Sequence, residues 1–307
     1  MANEYISLDG KRVIFIGNSF IYYGCAVLAK SASGYPTLRG RTRDGGYFYR
    51  IAKSHGEDVS VTNWTFGGHR FSHLFSGEPC TYKDCAGSGV AHLNELGREA
   101  YDYVILSEGS GLECDAVFMK NVDFITSHFL ELNPKTKFVY LVHPSHHGYG
   151  VGKLPQPHVL SALSELYERG FIIVDWGRLV KDIAEGAAVV QGAVEKYSKN
   201  TFIVSQSESD GYHPNQLSGY ICALMTYSAI TGRSAVMQSY DFVGNREVSK
   251  DASYRTFEEY KAKCYTLGET NYDRVFSSPS DMLGIQMLID EYLLKKDFLN
   301  YGEVYGI

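Results

Sequence analysis

Short apolar runs of four to seven residues alternate along the chain with longer segments in which apolar residues recur every three or four positions. Four of the short runs are almost continuously apolar, which is typical of strands that helices cover on both faces of a parallel sheet. The five predicted strands cover residues 13–16, 59–65, 103–106, 138–142 and 171–174.

The segments between these runs have the period of amphipathic helices, most clearly at 117–132 and 159–167. The order βαβαβαβαβ predicts an α/β fold, a doubly wound three-layer α/β/α domain with a mostly parallel five-stranded sheet. We expect this domain to occupy residues 1–235. Residues 236–307 are expected to form a C-terminal helical appendage, with a helix at 280–298, that packs on the core and is not an independent domain.

Composition and charge restrict the classes of partner. The chain has 307 residues, of which 44% are hydrophobic and 21% charged, and its formal net charge is −6. An acidic chain has no broad electrostatic attraction to nucleic acid or to an anionic membrane. We therefore expect neither of these partners. A small neutral molecule remains possible as a partner. The oligomeric state is not indicated.

Signals for export or membrane insertion are not found in the sequence. No apolar stretch approaches the ~20 residues that span a bilayer, and the first residues lack the basic and apolar regions of a signal peptide. A cytoplasmic protein is expected, unless a leader has been removed. The six cysteines form no CxxC pair and are expected to be free thiols: Cys25, Cys80, Cys85, Cys114, Cys222 and Cys264.

The first predicted strand ends in Gly17-Asn18-Ser19-Phe20, so Ser19 lies where a parallel strand leads into a helix. Functional loops of such sheets follow the C-terminal ends of strands, and a serine at this point can act as a nucleophile. Backbone N–H groups at the start of the following helix can stabilise an oxyanion. The alternative is that Ser19 only caps the helix.

A second candidate segment, Asp210-Gly211-Tyr212-His213-Pro214, precedes a predicted helix. Proline is favoured at the first helical position, which places His213 at the cap and Asp210 in the loop before it. An aspartate at this offset can orient the imidazole and stabilise its protonated form. The alternative is a helix-start turn in which Asp210 caps and His213 is solvated.

Three segments together resemble, in type and order, the sequence blocks of the SGNH (GDSL-like) hydrolases. They are Gly17-Asn18-Ser19-Phe20, Phe66-Gly67-Gly68-His69 and Asp210-Gly211-Tyr212-His213-Pro214. More narrowly, the chain resembles a family of uncharacterised bacterial SGNH-like proteins whose first block reads GNSF and whose last block reads DxxHP. The resemblance covers about residues 12–232 and implies the flavodoxin-like three-layer fold of that superfamily.

The resemblance also implies a role for each matching residue. Ser19 would be the nucleophile, His213 the general base and then acid, and Asp210 the carboxylate that orients His213. The backbone N–H groups of Ser19 and of Gly68 or Gly67 would donate to the oxyanion. The alternative, without a functional role, is that the two glycines only form a turn after a strand.

The third block departs from the SGNH pattern. These enzymes carry an asparagine in a GxND sequence after the third strand, where its amide completes the oxyanion hole, whereas this chain reads Leu106-Ser107-Glu108-Gly109-Ser110. Ser107 could donate a hydroxyl in place of that amide. Glu108 would oppose the developing negative charge unless it points away or binds a substrate hydroxyl.

Histidines gather in the predicted loops at the same edge of the sheet. His143, His146 and His147 follow the fourth strand, and His69 follows the second. We expect these loops to contact a hydroxyl-rich substrate, through Asn18, His69, Glu108, His143 and His146. A metal site on His143, His146 and His147 is the alternative, because imidazole is a common zinc ligand.

The leading hypothesis is a serine esterase that removes a small acyl group, most readily acetyl, from a carbohydrate or similar polyhydroxylated molecule. It needs neither a metal ion nor an organic cofactor. The competing hypothesis is a catalytically weak or inactive SGNH-like protein that binds a glycan in the same crevice. A metal-dependent hydrolase is the third.

Overall fold

The computed structural model describes residues 5–22, 26–27, 41–42, 46–66, 69–74, 98–109, 115–193, 197–198, 201–203, 211–240 and 279–306. Its strands are β1 (Arg12–Asn18), β2 (Arg41–Thr42), β3 (Ser60–Phe66), β4 (Tyr103–Leu106), β5 (Lys137–Leu141) and β6 (Ile172–Val174). Its helices are α1 (Ser19–Tyr22), α2 (Gly46–Ser54), α3 (Asp115–Leu132), α4 (Pro157–Leu160), α5 (Leu163–Glu168), α6 (Trp176–Glu185), α7 (Gln216–Thr231), α8 (Pro279–Leu294) and α9 (Tyr301–Val304). Three 3₁₀ turns lie at Phe71–Leu74, Pro144–His146 and Asp297–Asn300.

The strands form one sheet in the order β2-β3-β1-β4-β5-β6, in which β3, β1, β4, β5 and β6 are parallel. The predicted α/β/α class and all five predicted strands are therefore confirmed. The short strand β2, which pairs antiparallel with β3, was not predicted because Arg41 and Thr42 form no apolar run. Parallel pairing places the C-terminal ends of the strands at one edge of the sheet.

Side chains of successive strand residues pack on opposite faces of the sheet, as the pleat requires. On one face, Val13 and Phe15 of β1 join a core formed with α2, α6, α7 and α8. On the other face, Ile14 and Ile16 join a core formed with α3, α4 and α5. This alternation explains why four of the five parallel strands are almost continuously apolar, since both of their faces are covered.

Helix α7 begins after the predicted catalytic histidine. Its cap is Asn215, whose side-chain oxygen accepts a hydrogen bond of 3.1 Å from the N–H of Ser218. The helix ends at Gly232, which has a φ of 72° and donates its N–H to the carbonyl of Ser228. The expectation that Pro214 is the first helical residue is wrong, because the asparagine side chain sets the start two residues later.

The C-terminal helices pack on the core. Residues Met282, Ile285 and Ile289 of α8 are fully buried in the core that includes α6 and α7. The helix predicted at 280–298 ends at Leu294 and is followed by a 3₁₀ turn and α9. The domain division at residue 235 stays a prediction. Within the described ranges, no helix is both long and apolar enough to cross a membrane.

Candidate active site

The turn from β1 into α1 presents Ser19, the first residue of α1. Asn18 shapes this turn, because its side-chain oxygen accepts a hydrogen bond of 3.0 Å from the N–H of Phe20. Gly17 allows close packing, since a Cβ there would lie 2.9 Å from the carbonyl oxygen of Ser107. The strand-to-helix transition predicted from the sequence is therefore present at Ser19.

His213 lies next to Ser19 although the two are 194 positions apart in the sequence. A hydrogen bond of 2.7 Å joins Ser19 Oγ to His213 Nε2. The two residues are 7% and 8% exposed, so the pair is largely shielded from bulk water. The serine hydroxyl donates to Nε2 when Nδ1 carries the ring proton. This is the arrangement of a nucleophile and its general base.

The segment around His213 is held by a hydrogen bond from a residue that follows it and by two aromatic rings that pack against the imidazole. The side-chain nitrogen of Asn215 donates to the carbonyl of Thr201 at 2.6 Å, which anchors the residues that follow His213. The imidazole also lies against two aromatic rings, those of Phe20 and Tyr212, at centroid distances of 5.1 and 4.5 Å. These contacts restrict the ring to the side of Ser19.

Three predicted site residues, Asp210, Gly67 and Gly68, lie outside the described residues. Their expected roles, as the orienting carboxylate and as oxyanion donors, stay predictions.

Five of the six cysteines also lie outside the described residues. The sixth, Cys222, is a free, buried thiol whose pKa is raised by burial.

The side chain of Glu108 joins the loop after β4 to the loop after β3. Its carboxylate is buried and accepts hydrogen bonds from the backbone N–H of Phe71, at 3.1 and 3.2 Å, and of Gly109, at 2.5 Å. Gly109 is needed for this approach, because a Cβ there would lie 2.5 Å from the carbonyl oxygen of His69. The negative charge of Glu108 is thus directed at backbone amides.

The backbone carbonyl of Glu108 connects three loops at the same edge of the sheet. It accepts hydrogen bonds from Asn18 Nδ2 at 3.0 Å, His143 Nε2 at 3.0 Å and His146 Nε2 at 3.2 Å. The ring of His143 is stacked between those of Phe20 and His146, with centroids 4.1 and 3.5 Å away. The loops that follow β1, β4 and β5 are therefore packed together beside the Ser19–His213 pair.

Both histidines of this stack are held in the neutral form. Burial lowers the pKa of His143 to about 3, an effect that the hydrogen bond to the Glu108 carbonyl partly opposes. Burial, and next the neighbouring His143, place the pKa of His146 well below its ordinary value. Neutral imidazoles suit this position because each donates one N–H to a carbonyl.

Several residues expected to contact substrate are buried in the described structure. Asn18, His69, His143 and His146 are each at most 1% exposed, and Glu108 is equally buried. Their role in substrate binding stays a prediction. Asn18, His143 and His146 donate to the carbonyl of Glu108, a long-range contact that the sequence pattern does not reveal.

Ser107, the expected substitute for the missing asparagine, has its hydroxyl directed at the carbonyl of Leu141, at 3.1 Å. In this arrangement the only proton of the hydroxyl is used within the sheet and is not available to an oxyanion. Its assignment as an oxyanion donor stays a prediction, which a Ser107 variant can test.

His147 does not take part in the His143–His146 stack and contacts the cap residue of α6 and the C-terminal segment instead. Its Nε2 lies 2.8 Å from Asp175 Oδ1 and its Nδ1 lies 2.8 Å from the hydroxyl of Tyr305, in the C-terminal segment. Across the described ranges, no group of three or more His, Cys, Asp or Glu side chains is arranged to hold a metal ion. The geometry therefore gives no support to a metal site on His143, His146 and His147.

Lys153 lies beside the site, although the sequence pattern does not indicate it. Its ammonium nitrogen lies 3.8 Å from the ring centroid of Tyr212 and 5.9 Å from that of Phe20. The loop that carries it is tied to the histidine segment, since Val151 donates its N–H to the carbonyl of Gly211 at 3.0 Å. No motif surrounds Lys153, so only the folded chain shows this placement.

No protein-family model and no curated protein matches the sequence. Solved structures do match. A protein from Slackia heliotrinireducens assigned to the SGNH hydrolases is 14% identical, with a TM-score of 0.44 and coverage of 72% of this chain and 98% of that one. A protein from Parabacteroides merdae assigned as a GDSL-like lipase is 13% identical, with a TM-score of 0.46 and coverage of 73% and 97%.

A family two carbohydrate esterase from Clostridium thermocellum, solved in complex with cellohexaose, is 13% identical, with a TM-score of 0.41 and coverage of 73% of this chain and 64% of that one. SGNH and GDSL-like hydrolases, the group that the motifs resemble, are thus among the solved structures to which the chain is similar.

Proposed function

We propose that the protein is a serine-dependent carboxylic ester hydrolase that removes a small acyl group, acetyl in the first instance, from a carbohydrate or another polyhydroxylated molecule. The observation that carries the proposal is the 2.7 Å hydrogen bond between Ser19 Oγ and His213 Nε2 at the C-terminal edge of the sheet. A serine hydroxyl becomes an effective nucleophile when an imidazole within this distance accepts its proton.

The reaction follows from the positions of these two side chains. As Ser19 Oγ attacks the ester carbonyl, His213 Nε2 accepts the hydroxyl proton and a tetrahedral oxyanion forms. The protonated imidazole then gives its proton to the leaving alcohol, which leaves an acyl-serine. A water molecule, deprotonated by the same imidazole, attacks the acyl-serine and releases the carboxylic acid and free Ser19.

The oxyanion requires donors that are fixed before the reaction begins. In this proposal they are the backbone N–H of Ser19 and those of the loop that carries Gly67 and Gly68. The support for a positioned loop is the Glu108 carboxylate, which holds the N–H of Phe71 a few residues further on.

The preference for a small acyl group and a hydroxylated alcohol rests on two supports. The first is the resemblance to SGNH hydrolases. The second is access, since Ser19 is only 7% exposed and rings of Phe20 and Tyr212 flank its partner His213. Aromatic rings can pack against the apolar faces of sugars.

The test is hydrolysis of a chromogenic acetyl ester by the wild type, by Ser19→Ala and by a matched control, Ser54→Ala, at the exposed end of α2. We expect Ser19→Ala to lose at least ~10³-fold in kcat/KM and the control to be unchanged. Intact-protein mass spectrometry with a slowly hydrolysed ester should show an acyl adduct on wild type and on the control alone. Equal activity of wild type and Ser19→Ala would refute the proposal.

A second candidate is a catalytically weak protein that binds a glycan ester in the same place. The observation that favours it is the direction of the Ser107 hydroxyl, which donates to Leu141 and leaves the third-block oxyanion position without that donor. Loss of one such donor costs ~10²–10³ in turnover. Negligible hydrolysis by wild type, together with saturable binding of an acetylated oligosaccharide, would favour this candidate.

A further inference from the structure

The loop that follows β5, residues 143–153 and here named the β5 loop, begins beside the segment that carries Ser19. The ring of His143 stacks on the ring of Phe20, the residue after Ser19, with centroids 4.1 Å apart and planes inclined by 3°. The ring of Phe20 in turn lies 5.1 Å from that of His213. A displacement of His143 would therefore reach both members of the proposed catalytic pair through a single ring.

The end of the β5 loop contacts the segment that carries His213. Val151 donates its N–H to the carbonyl of Gly211, two residues before His213, at 3.0 Å. Gly150 has a φ of 124° and allows a close approach, because a Cβ there would lie 2.7 Å from the Cβ of Tyr212. The β5 loop thus contacts the Ser19 segment at one end and the His213 segment at the other.

The first half of the β5 loop is a compact turn. The N–H of His146 donates to the carbonyl of His143 at 2.9 Å. The N–H groups of His147 and Tyr149 both donate to the carbonyl of Pro144, at 3.1 and 3.0 Å. The three histidines are buried. A short turn that is close-packed and internally bonded moves as a unit, so a contact that fixes one of its residues fixes the others.

The side chain of His147 fixes this turn to two other parts of the fold. Because a carboxylate only accepts, His147 Nε2 donates to Asp175 Oδ1 at 2.8 Å, and Nδ1 accepts from the hydroxyl of Tyr305 at 2.8 Å. Asp175 is itself held as the cap of α6, where it accepts the N–H of Arg178 at 3.0 Å. The side chain of His147 has no exposed surface, so water cannot readily replace either partner.

The C-terminal segment reaches this place by packing on His147. The ring of Tyr301 lies edge-on to the imidazole at a centroid distance of 5.3 Å, and that of Tyr305 lies 5.9 Å away. The hydroxyl of Tyr301 donates to the second oxygen of Asp175 and not to the imidazole. Of the two tyrosines, Tyr305 is therefore the one whose hydroxyl completes the hydrogen bonds of His147.

We propose that His147 is a positioning residue that holds the β5 loop, and through it Ser19 and His213, and that the C-terminal segment supports His147 through Tyr305. This role rests on the proposed function, since it concerns the alignment of the two side chains during ester hydrolysis. A misplacement of about 1 Å caused away from the reacting atoms can cost ~10²-fold in rate. A side chain that touches neither reacting group can therefore lower kcat while KM stays the same.

The first test compares two substitutions of His147. His147→Phe keeps the bulk of the ring and removes both hydrogen bonds, whereas His147→Gln supplies a donor and an acceptor again. Hydrolysis of a chromogenic acetyl ester is measured at a temperature where thermal unfolding shows each variant to be folded. We expect His147→Phe to lower kcat about 10–100-fold with KM within about twofold, and His147→Gln to recover most of this loss. Wild-type kcat in a folded His147→Phe protein would overturn the proposal, and so would an equal loss in His147→Gln.

A matched pair of tyrosine variants tests the contribution of the C-terminal segment. Tyr305→Phe removes the hydroxyl that donates to His147 and should lower kcat at least ~3-fold. Tyr301→Phe removes a hydroxyl from the same segment that donates to Asp175 instead, and should leave kcat unchanged. The same kcat in both variants would refute the support through Tyr305.

Hydrogen exchange separates a failure of this proposal from a failure of the proposed function, because it requires no activity. The N–H groups of Val151 and Gln156 donate to the carbonyls of Gly211 and His146. In His147→Phe both should exchange at least ~10-fold faster, while the amides of α3 keep the wild-type rate. Unchanged exchange at both positions would overturn the proposal. Faster exchange in a protein whose wild type hydrolyses no acetyl ester would support the hold of His147 on the loop and refute the proposed function.

Discussion

Replacing Glu108 with Gln removes one negative charge from the contact between the loops after β3 and β4, with almost no change in shape. The carboxylate accepts the N–H groups of Phe71 and Gly109 and is only 1% exposed. In the variant, an amide oxygen in the place of Oε1 can still accept both N–H groups, because Oε1 already accepts from Gly109 at 2.5 Å and from Phe71 at 3.1 Å. The amide nitrogen takes the place of Oε2 and, being itself a donor, faces the N–H of Phe71. The substitution therefore replaces two charge-assisted hydrogen bonds by neutral ones and sets one donor against another.

The size of the effect follows from these contacts. A hydrogen bond to a charged group contributes about 1.5–3 kcal/mol and one between neutral groups about 0.5–1.5 kcal/mol, so each of the two N–H groups loses about 1 kcal/mol. With the added contact between two donors, we expect Glu108→Gln to lower the free energy of unfolding by about 1–3 kcal/mol. Glu108 holds the loop after β3 through the N–H of Phe71, and the expected oxyanion donors Gly67 and Gly68 come just before it in the chain. We therefore expect kcat to fall about 10–100-fold. KM should change little, since the carboxylate of Glu108 is directed at backbone N–H groups.

Two measurements test this reasoning: urea unfolding monitored by circular dichroism, and steady-state hydrolysis of an acetyl ester. The matched control is Glu131→Gln, which removes the same charge from the exposed end of α3 and should stay within about 0.5 kcal/mol of wild type. A Glu108→Gln protein with the stability and kcat of wild type would show that the carboxylate does not hold the two loops together.

The pKa values of His143 and His146 are lower in the folded chain than in the unfolded chain, so unfolding takes up protons at acidic pH. The stability that these imidazoles contribute should be full above about pH 6.5 and should fall by about 1.4 kcal/mol per pH unit for His143 as the pH decreases toward its pKa of about 3, with His146 adding to the loss in the same direction. A urea midpoint that stays flat between about pH 6.5 and 4 would contradict this. Tyr301→Phe removes a hydrogen bond to Asp175 and should lower the free energy of unfolding by about 1–2 kcal/mol with no change in kcat; unchanged stability would speak against a role for this contact. Ser107→Ala should leave kcat within about threefold, because the hydroxyl donates to a carbonyl of β5, whereas a loss of ~10² would show that it serves the oxyanion.

The strands and the layer arrangement could be predicted from the sequence because the information is local. A strand covered on both faces is apolar at successive positions, and four of the five parallel strands carry such a run, whereas polar residues interrupt β3. The strand end at Ser19 is predicted by the same signal. Strand β2 was not predicted, because its two residues, Arg41 and Thr42, carry no apolar pattern and become a strand by pairing with β3.

The inward position of the histidines could not be predicted in the same way. His143 and His146 follow a strand in a polar segment, which the sequence analysis interpreted as a rim facing substrate. In the fold they donate to the carbonyl of Glu108, more than thirty positions earlier in the chain. A residue's burial depends on neighbours that are distant in sequence, and no periodicity records them.

The sequence by itself determined the α/β/α architecture, the strand-to-helix turn at Ser19 and the candidate status of His213, because strand periodicity and short motifs are properties of neighbouring residues. Only the tertiary structure decided that Ser19 Oγ and His213 Nε2 lie 2.7 Å apart, that Glu108 ties two loops together and that Lys153 stands beside Tyr212. Those distances arise from the packing of loops that the sheet brings to one edge.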